Sequence, residues 1–315
     1  MGEKSKKIGE IGENIVENFF SLIGWKNTLK GQSIKCLKPK KHALLNSKSK
    51  STHGIDFLFC YKSLLESKTI ESIVISVKHS ENSYENSPKK VFNKHVADLA
   101  YSLECYKNSE LKSEQTKSFK SCSKSKDTGI LFWLSSYEET YDNIIEKIHD
   151  TRLEKNLKFE SFYVVDNNRM HFLYDALTWA KQSFNNRKIE FYYPETSLSY
   201  EDKSISRSGN ILPIEFITSP ILPLIIRGVS SDDLDTFCLI SMDRIDQDAV
   251  KCLIQVAREY THEINCKYTL AFPNYVPSHH TDLVKKAKNG FDAKITEKLS
   301  VFSFRPDYRS LNDGE

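Results

Sequence analysis

The feature that most constrains the fold is an alternation of short apolar runs with segments of helical periodicity. It begins at Gly129, where GILFWLS is predicted to form a buried strand, and it recurs through the rest of the chain. Such alternation is typical of α/β layering, in which helices cover the faces of a sheet. The predicted strands are 129–135, 161–166, 188–193, 236–241, 267–272 and 299–304, and the predicted helices are 137–156, 169–184, 246–262 and 281–288.

The first part of the chain begins with a predicted helix, Lys7–Ile23, whose apolar residues recur at helical spacing and which ends at Gly24. An extended stretch at 32–37 follows, and then two short buried strands, Gly54–Cys60 and Ile73–Lys78. Further on, the sequence predicts a helix at 95–106 and a mobile polar loop at 109–126, because that Ser/Lys-rich stretch can bury little surface.

The length of 315 residues predicts two domains, which we place at 1–205 and 206–315. No apolar run approaches the roughly 20 residues that span a bilayer, so no membrane segment is expected. The seven cysteines are scattered and form no CxxC pair, which indicates neither a zinc site nor a disulfide framework. A reducing cytoplasm is the expected compartment.

Positive charge is concentrated in one segment. Between Asn18 and Ile55 there are eight lysines and no acid, so this segment carries +8 within a chain whose net charge is +3. A solvated lysine-rich loop is the ordinary explanation for such a run. Its position beside the acidic and basic residues described next instead favours contact with a polyanion, through Lys38, Lys40, Lys41, Lys48 and Lys50.

Two strand residues have the chemistry for phosphodiester hydrolysis, which needs carboxylates to hold a divalent cation and a cationic group near the phosphate. Asp56 interrupts an apolar strand, where a buried carboxylate must be compensated, although it could also cap its own turn. Lys78 ends the next strand and shares a face with Ser76. A lysine at a strand end can simply extend to solvent, but a hairpin of these strands would bring Asp56 and Lys78 together.

Glu13 is the candidate for the second acid. The apolar stripe of the first helix is predicted to centre on Ile15 and Phe19, and Glu13 falls on its flank beside Val16 and Phe20. A carboxylate on the flank can reach over a neighbouring sheet edge, whereas simple solvation is the competing interpretation. The chain has neither GxxxxGK[ST] nor GxGxxG, so no nucleotide cofactor is indicated.

The order Gly12-Glu13, Gly54-Ile-Asp56 and Ser76-Val-Lys78 resembles the restriction-endonuclease-like fold of the PD-(D/E)xK superfamily. The resemblance spans about residues 1–200 and implies an αβββαβ core; for the C-terminal domain, the alternation of helices and strands predicts an α/β fold. It implies that Glu13, Asp56 and the Val77 carbonyl hold Mg²⁺ (or Mn²⁺), and that Lys78 orients the attacking water. One departure is Ser76, where the family usually has an acid or Gln. The neighbouring histidines, His53 and His79, are placed to contact phosphate.

The strings HGIDFLF and ISVKHS and the lysine-rich insert are similar, more narrowly, to the nuclease subunit of a two-gene bacterial anti-phage defence system. This resemblance implies a DNA substrate, a partner protein from an adjacent gene and a hetero-oligomer. Two alternatives remain open. The chain could be a ribonuclease, since phosphate chemistry is shared, or a nuclease fold without activity that serves as a DNA-binding or scaffolding subunit, which Ser76 favours.

Overall fold

The computed structural model describes residues 2–43, 48–137, 143–200, 202–230, 232–262, 264–306 and 308. The chain divides into two compact units, 1–170 and 171–315. The division therefore precedes the predicted boundary at 205/206, because the predicted strand at 188–193 pairs within the second sheet and not the first.

The first unit contains one five-stranded sheet, with strand order β1-β2-β3-β4-β5. Strand β2 is antiparallel to both β1 and β3, whereas β4 runs parallel to both β3 and β5. The order of elements confirms the predicted αβββαβ core. The elements are α1 (Gly2–Ile23), β1 (Leu29–Lys35), β2 (Thr52–Lys62), β3 (Thr69–Ser80), α2 (Pro88–Tyr106), α3 (Glu110–Thr116), β4 (Lys124–Ser135), α4 (Ile144–Ile148) and β5 (Ser161–Val165).

Helix α1 covers one face of this sheet through an apolar stripe that differs from the predicted one. Val16, Phe19 and Phe20 are buried, and the Phe20 ring contacts the ring of Phe57 with 5.2 Å between centroids. Ile15, which was predicted to be central, is exposed. The helix is thus rotated about its axis relative to the prediction, because two adjacent phenylalanines bury more apolar area than the isoleucine does.

Gly12 allows α1 to approach β3 closely. A Cβ atom at this position would lie 2.3 Å from the Cβ of His79, far inside van der Waals contact. Gly9, on the same helix, has no atom within 4 Å of such a Cβ. Gly12 is therefore required where the helix crosses the strand, and it sets the height of the neighbouring Glu13 above the sheet.

Gly12→Ala is expected to lower the free energy of unfolding by about 1–3 kcal/mol, because the added methyl group forces helix and strand apart. Gly9→Ala is the matched control and should be neutral or stabilise by up to about 1 kcal/mol, since alanine favours helix. Urea denaturation of both variants measures the difference. Equal free energies of unfolding for the two variants would show that the close approach of α1 to β3 does not contribute to stability.

The second unit contains a six-stranded sheet in the order β11-β10-β9-β8-β6-β7, with parallel pairing from β9 to β11 and antiparallel pairing elsewhere. Together with the first unit, it confirms the predicted α/β class. Its elements follow α5 (Asn167–Ser183) and are β6 (Ile189–Tyr192), β7 (Ser208–Gly209), the 3₁₀ helix η1 (Ile214–Phe216), β8 (Ile221–Ile226), β9 (Thr236–Ser241), α6 (Gln247–Tyr260), β10 (Lys267–Phe272), α7 (Pro277–Lys288), α8 (Ala293–Thr296) and β11 (Leu299–Ser303).

Two predicted segments of the first unit were wrong. The long helix at 137–156 is reduced to α4, capped by Asn143, because only Ile144 and Ile148 of its stripe are buried; residues 138–142 lie outside the described part. The polar segment predicted as a mobile loop contains helix α3, which Ser109 caps by accepting a hydrogen bond from the Lys112 amide. The Lys112 ammonium also pairs with the buried Asp127, which anchors α3 to the sheet.

Residues 194–223, which fall between two predicted strands, contain β7, η1 and the first residues of β8. In the described part of the chain, no helix combines the length and the apolar character needed to span a bilayer.

Candidate active site

Strands β2 and β3 separate at Asp56. Their antiparallel ladder ends at the pair Phe57↔Ile75, while β3 remains paired with β4 through Ser80. Beyond the last ladder pair, the Val77 amide donates a hydrogen bond to Asp56 Oδ2 at 2.7 Å. A side-chain carboxylate thus replaces a backbone carbonyl as the partner of β3. The bond fixes Asp56 at the point where the two strands diverge.

The direction of side chains in β2 changes at the same residue. Phe57 packs against Phe20 of α1, whereas Ile55 belongs to the apolar cluster that contains α2 residues. Strict alternation would place both on one face. On the adjacent strand, Gly31 lies between the partners of Phe57 and Ile55 and has φ of 63°, a conformation that favours glycine. This distortion turns the Asp56 carboxylate towards β3.

Lys78 lies half-buried in an open cleft of about 540 Å³ that is also lined by Val77, His79, His95 and Trp133. Among the described residues, no carboxylate lies within ion-pair distance of its ammonium group. An unpaired ammonium in a cleft is available to an anionic ligand, and it lies one residue from the amide that binds Asp56.

His95 of α2 lies next to Lys78. Burial, together with the positive charge of the nearby Lys78, lowers the pKa of His95 to about 4. The ring meets Trp133 edge to face, with centroids 5.5 Å apart. His95 is therefore neutral at physiological pH, so it leaves Lys78 as the cation of this part of the cleft and can exchange hydrogen bonds with a ligand there.

Glu13 lies above the part of β2 that carries Asp56. On one side, its carboxylate is 3.7 Å from Lys30 Nζ of β1, and Lys30 pairs with Phe57 in the sheet. On the other side, the preceding Gly12 contacts Val77 and His79 of β3. Because β2 runs between β1 and β3, these contacts place Glu13 over the segment around Asp56. The predicted position on the helix flank is thus consistent with the fold.

The two histidines predicted to contact phosphate occupy different surroundings from those expected. His53 is completely buried, and its Nε2 atom lies 3.3 Å from Nδ1 of His42, so its ring is not exposed at the surface. His79 is half-buried, and its ring nitrogens contact the Ile8 carbonyl at 2.8 Å and the Ser136 hydroxyl at 2.7 Å. In this structure His79 joins α1 to the sheet.

The predicted nucleic-acid-binding lysines fall into two groups. Lys38 and Lys41 both pair with Glu104, and Lys50 pairs with Asp98 at 2.6 Å, so acids of α2 neutralise much of this charge. The sequence could not reveal these pairs, because the acids lie more than forty positions away. The other two, Lys40 and Lys48, are exposed and have no ion-pair partner among the described residues.

Reasoning from the sequence missed two other parts of the site. Lys30 pairs with both Glu13 and Glu17, at 3.7 and 2.8 Å. His95 and Trp133 line the cleft around Lys78. Of these residues, Trp133 lies in an apolar run that the sequence predicted to be a strand. The parallel pairing of β3 and β4 then places Trp133 beside Lys78.

A mixed sheet of αβββαβ order, with Asp56 and Lys78 on diverging central strands and Glu13 on the covering helix, has the architecture of a PD-(D/E)xK nuclease domain. The family model for the GAPS4 protein PD-(D/E)XK nuclease domain matches residues 1–169, which is more than half of the chain. The chain belongs to this family, and the predicted PD-(D/E)xK resemblance is confirmed. The comparisons with curated proteins and with solved structures gave no match.

Proposed function

We propose that the chain is a metal-dependent endonuclease that hydrolyses DNA at the point where β2 and β3 diverge. The observation that carries this proposal is the Asp56 carboxylate held by the Val77 amide at 2.7 Å, one residue from the unpaired ammonium of Lys78. At one strand end, the Asp56 carboxylate can therefore bind a divalent metal ion and the Lys78 ammonium can bind a phosphate. Membership of a nuclease family supports phosphodiester hydrolysis as the reaction.

The residues present fit a divalent cation of the Mg²⁺ or Mn²⁺ type. Among the described residues, hydrogen bonding occupies Oδ2 of Asp56 and leaves Oδ1 for a ligand. With the Glu13 carboxylate and the Val77 carbonyl, it gives the oxygen donors that such hard cations prefer. When bound, the metal would stabilise charge on the phosphate and lower the pKa of a water.

The protein side chains have distinct parts in this proposal. Lys78 binds the phosphate that is attacked and orients the water, because its charge is not used by any described carboxylate. Lys30 holds the Glu13 carboxylate over β2 through the contact at 3.7 Å. Ser76, on the same strand face as Lys78, contributes at most a hydroxyl to a metal-bound water, so Glu13 must supply the second negative charge.

The exposed lysines of the β1–β2 connection are proposed to bind the phosphate backbone. Lys40→Ala with Lys48→Ala should reduce the slope of log affinity against log salt by up to about 1.8, since each lost phosphate contact contributes about 0.9. The matched pair Lys38→Ala with Lys41→Ala should change the slope less, because both lysines neutralise Glu104. Fluorescence anisotropy with duplex DNA at several salt concentrations measures both. Equal slopes for the wild type and the Lys40/Lys48 variant would show that these lysines are solvated and do not bind the phosphate backbone.

A role in bacterial anti-phage defence, together with a partner protein encoded by an adjacent gene, is also proposed. The strings HGIDFLF and ISVKHS support it through the resemblance described above. A toxic nuclease needs restraint, and a hetero-oligomer would provide it. Co-expression with the neighbouring gene product, followed by size-exclusion chromatography, tests the association; two separately eluting proteins would contradict it.

The activity itself is tested with supercoiled plasmid and with a structured RNA, each incubated with Mg²⁺, Mn²⁺ or chelator, and in the presence of the candidate partner. We expect cleavage of DNA with either metal and no product with chelator. Cleavage of RNA alone would favour the ribonuclease alternative. Duplex binding without cleavage of either substrate under all conditions would favour the scaffold alternative, which Ser76 suggests.

A further inference from the structure

Four buried side chains with metal-ligand chemistry converge in the first unit, away from Asp56 and Lys78. Cys36 follows β1, His42 lies in the β1–β2 connection, His53 is in β2 and Cys105 is in α2. Their exposed fractions are 2%, 0%, 0% and 1%. One ligand atom from each lies within 4.8 Å of the ligand atoms of all the others.

The three distances measured from Nδ1 of His42 to the other ligand atoms match those around a tetrahedral zinc ion. Nδ1 of His42 lies 3.4 Å from the sulfur of Cys36, 3.5 Å from the sulfur of Cys105 and 3.3 Å from Nε2 of His53. Zinc–sulfur bonds of about 2.3 Å and zinc–nitrogen bonds of about 2.0 Å, at tetrahedral angles, separate such atoms by about 3.3–3.6 Å. The geometry therefore leaves room for one cation between the four atoms.

Hydrogen bonds alone do not account for this convergence. Nε2 of His42 lies 3.0 Å from Glu104 Oε2, and a carboxylate there requires the proton on that nitrogen. Nδ1 then offers a single hydrogen-bonding position, a lone pair or an N–H group, yet two sulfurs and the His53 nitrogen surround it. Three groups cannot each hydrogen-bond to one such position. A cation at the centre would be bound by His42 Nδ1 and the other three atoms together.

The surroundings of the cluster resemble those that support metal ligands. Glu104 accepts from His42 and thereby fixes the ring orientation, as carboxylates commonly do behind zinc-bound histidines. The Leu37 amide donates a hydrogen bond to the sulfur of Cys105 at 3.3 Å, which holds this sulfur in place. The Tyr101 ring stacks on His42, with centroids 4.4 Å apart. These contacts hold the ligands in place without depending on the nuclease site.

We infer that Cys36, His42, His53 and Cys105 bind a structural zinc ion. Two sulfurs and two imidazole nitrogens in a closed, buried, tetrahedral set are typical of structural zinc, and no position is left open for a reactive water. The ion joins the connection that carries Lys38, Lys40 and Lys41 to helix α2. The sequence indicated no zinc site, because His42 and Cys105 lie 63 positions apart and the cysteines form no CxxC pair.

The primary experiment measures zinc in the purified full-length protein by inductively coupled plasma mass spectrometry. We expect one zinc per chain in the wild type, and near-complete loss in Cys36→Ser and Cys105→Ser. Cys252→Ser is the matched control, because that thiol is exposed in the second unit, and it should keep the full equivalent. Asp56→Ala should keep it as well, which separates this site from the proposed nuclease site.

A second measurement uses the wild type, so that it tests the inference even where the ligand variants fail to fold. Wild-type protein is stripped of metal with chelator and titrated with Co²⁺, which should give the visible absorption of tetrahedral cobalt and the near-ultraviolet bands of cobalt–thiolate bonds. Added Zn²⁺ should remove both. The midpoint of thermal unfolding should fall by the order of 10 °C on zinc removal. A zinc-free wild type with no cobalt–thiolate spectrum, or a Cys36–Cys105 disulfide found by mass spectrometry under native conditions, would overturn the inference.

Discussion

Asp56→Asn is expected to lower the rate of DNA cleavage by about 1000-fold or more while the protein stays folded. The change removes a negative charge at the proposed metal position, where electrostatic stabilisation of the reacting phosphate is concentrated. The amide oxygen of asparagine can still accept the hydrogen bond that the Val77 amide now donates at 2.7 Å, so the strands should keep their arrangement. Gel assays of plasmid cleavage under single-turnover conditions measure the loss.

A second acid of the same sheet supplies the control. Asp127 of β4 is buried and paired with Lys112, and burial raises the pKa of its carboxyl group. Asp127→Asn should lower stability and leave the cleavage rate per folded molecule unchanged, because α3 and not the nuclease site depends on that pair. Retention of wild-type cleavage by Asp56→Asn would remove Asp56 from the site.

Glu13→Gln is expected to impair cleavage nearly as much as Asp56→Asn. Ser76 offers no charge where the family usually has an acid, so Glu13 of α1 is the carboxylate proposed to supply the second negative charge beside Asp56. The substitution preserves size and leaves the buried face of α1 untouched. Stability should therefore change by only about 0.5 kcal/mol, as for most surface positions. The rate of cleavage as a function of Mg²⁺ concentration, with denaturation midpoints, separates the two effects.

Glu17→Gln is a matched control on the same helix. Glu17 also pairs with Lys30, at 2.8 Å, but it lies one turn further along α1 than Glu13. The Glu17→Gln variant should therefore retain most of the cleavage activity. Ser76→Ala should impair cleavage less than Glu13→Gln does, because water can replace a hydroxyl group. An inactive Ser76→Ala together with a fully active Glu13→Gln would show that the metal is held differently and that α1 serves the fold alone.

The core of the first unit was predictable because its signals are local. Asp56 and Lys78 lie in strands of five or more apolar neighbours, where a charged residue stands out and needs compensation. Strand alternation and short connections then indicate which residues meet. The separation of β2 and β3 at Asp56 was not predictable, because it depends on the distortion at Gly31 and on a hydrogen bond between strands.

Other features depended on contacts that no local pattern contains. The buried face of α1 includes Phe19 and Phe20 and not Ile15. Which face of the helix is buried depends on how the side chains pack against the sheet. The predicted helix at 137–156 shortened because few of its apolar residues find a buried surface. Periodicity indicates which residues could form a helix, but tertiary packing determines how much of it is stable.

The lysine-rich segment shows the same limit for charge. In the sequence it is a run without acids, yet Glu104 and Asp98 of α2 pair with three of its lysines. Residues of the buried Cys/His cluster come from the same segment and from the same helix. Both features depend on the docking of α2 against the β1–β2 connection, which brings together residues that are distant in the sequence.

The most direct test of a metal-dependent nuclease at this site is a Mg²⁺ titration of plasmid cleavage by the wild type and by Lys78→Ala, in the presence of the candidate partner. We expect the wild-type rate to rise with Mg²⁺ to a plateau and to vanish with chelator. Lys78→Ala should remain folded and give no product at any Mg²⁺ concentration, because a metal cannot replace the ammonium that binds the phosphate. Cleavage by Lys78→Ala at the wild-type rate, or wild-type cleavage that persists in chelator, would contradict the account.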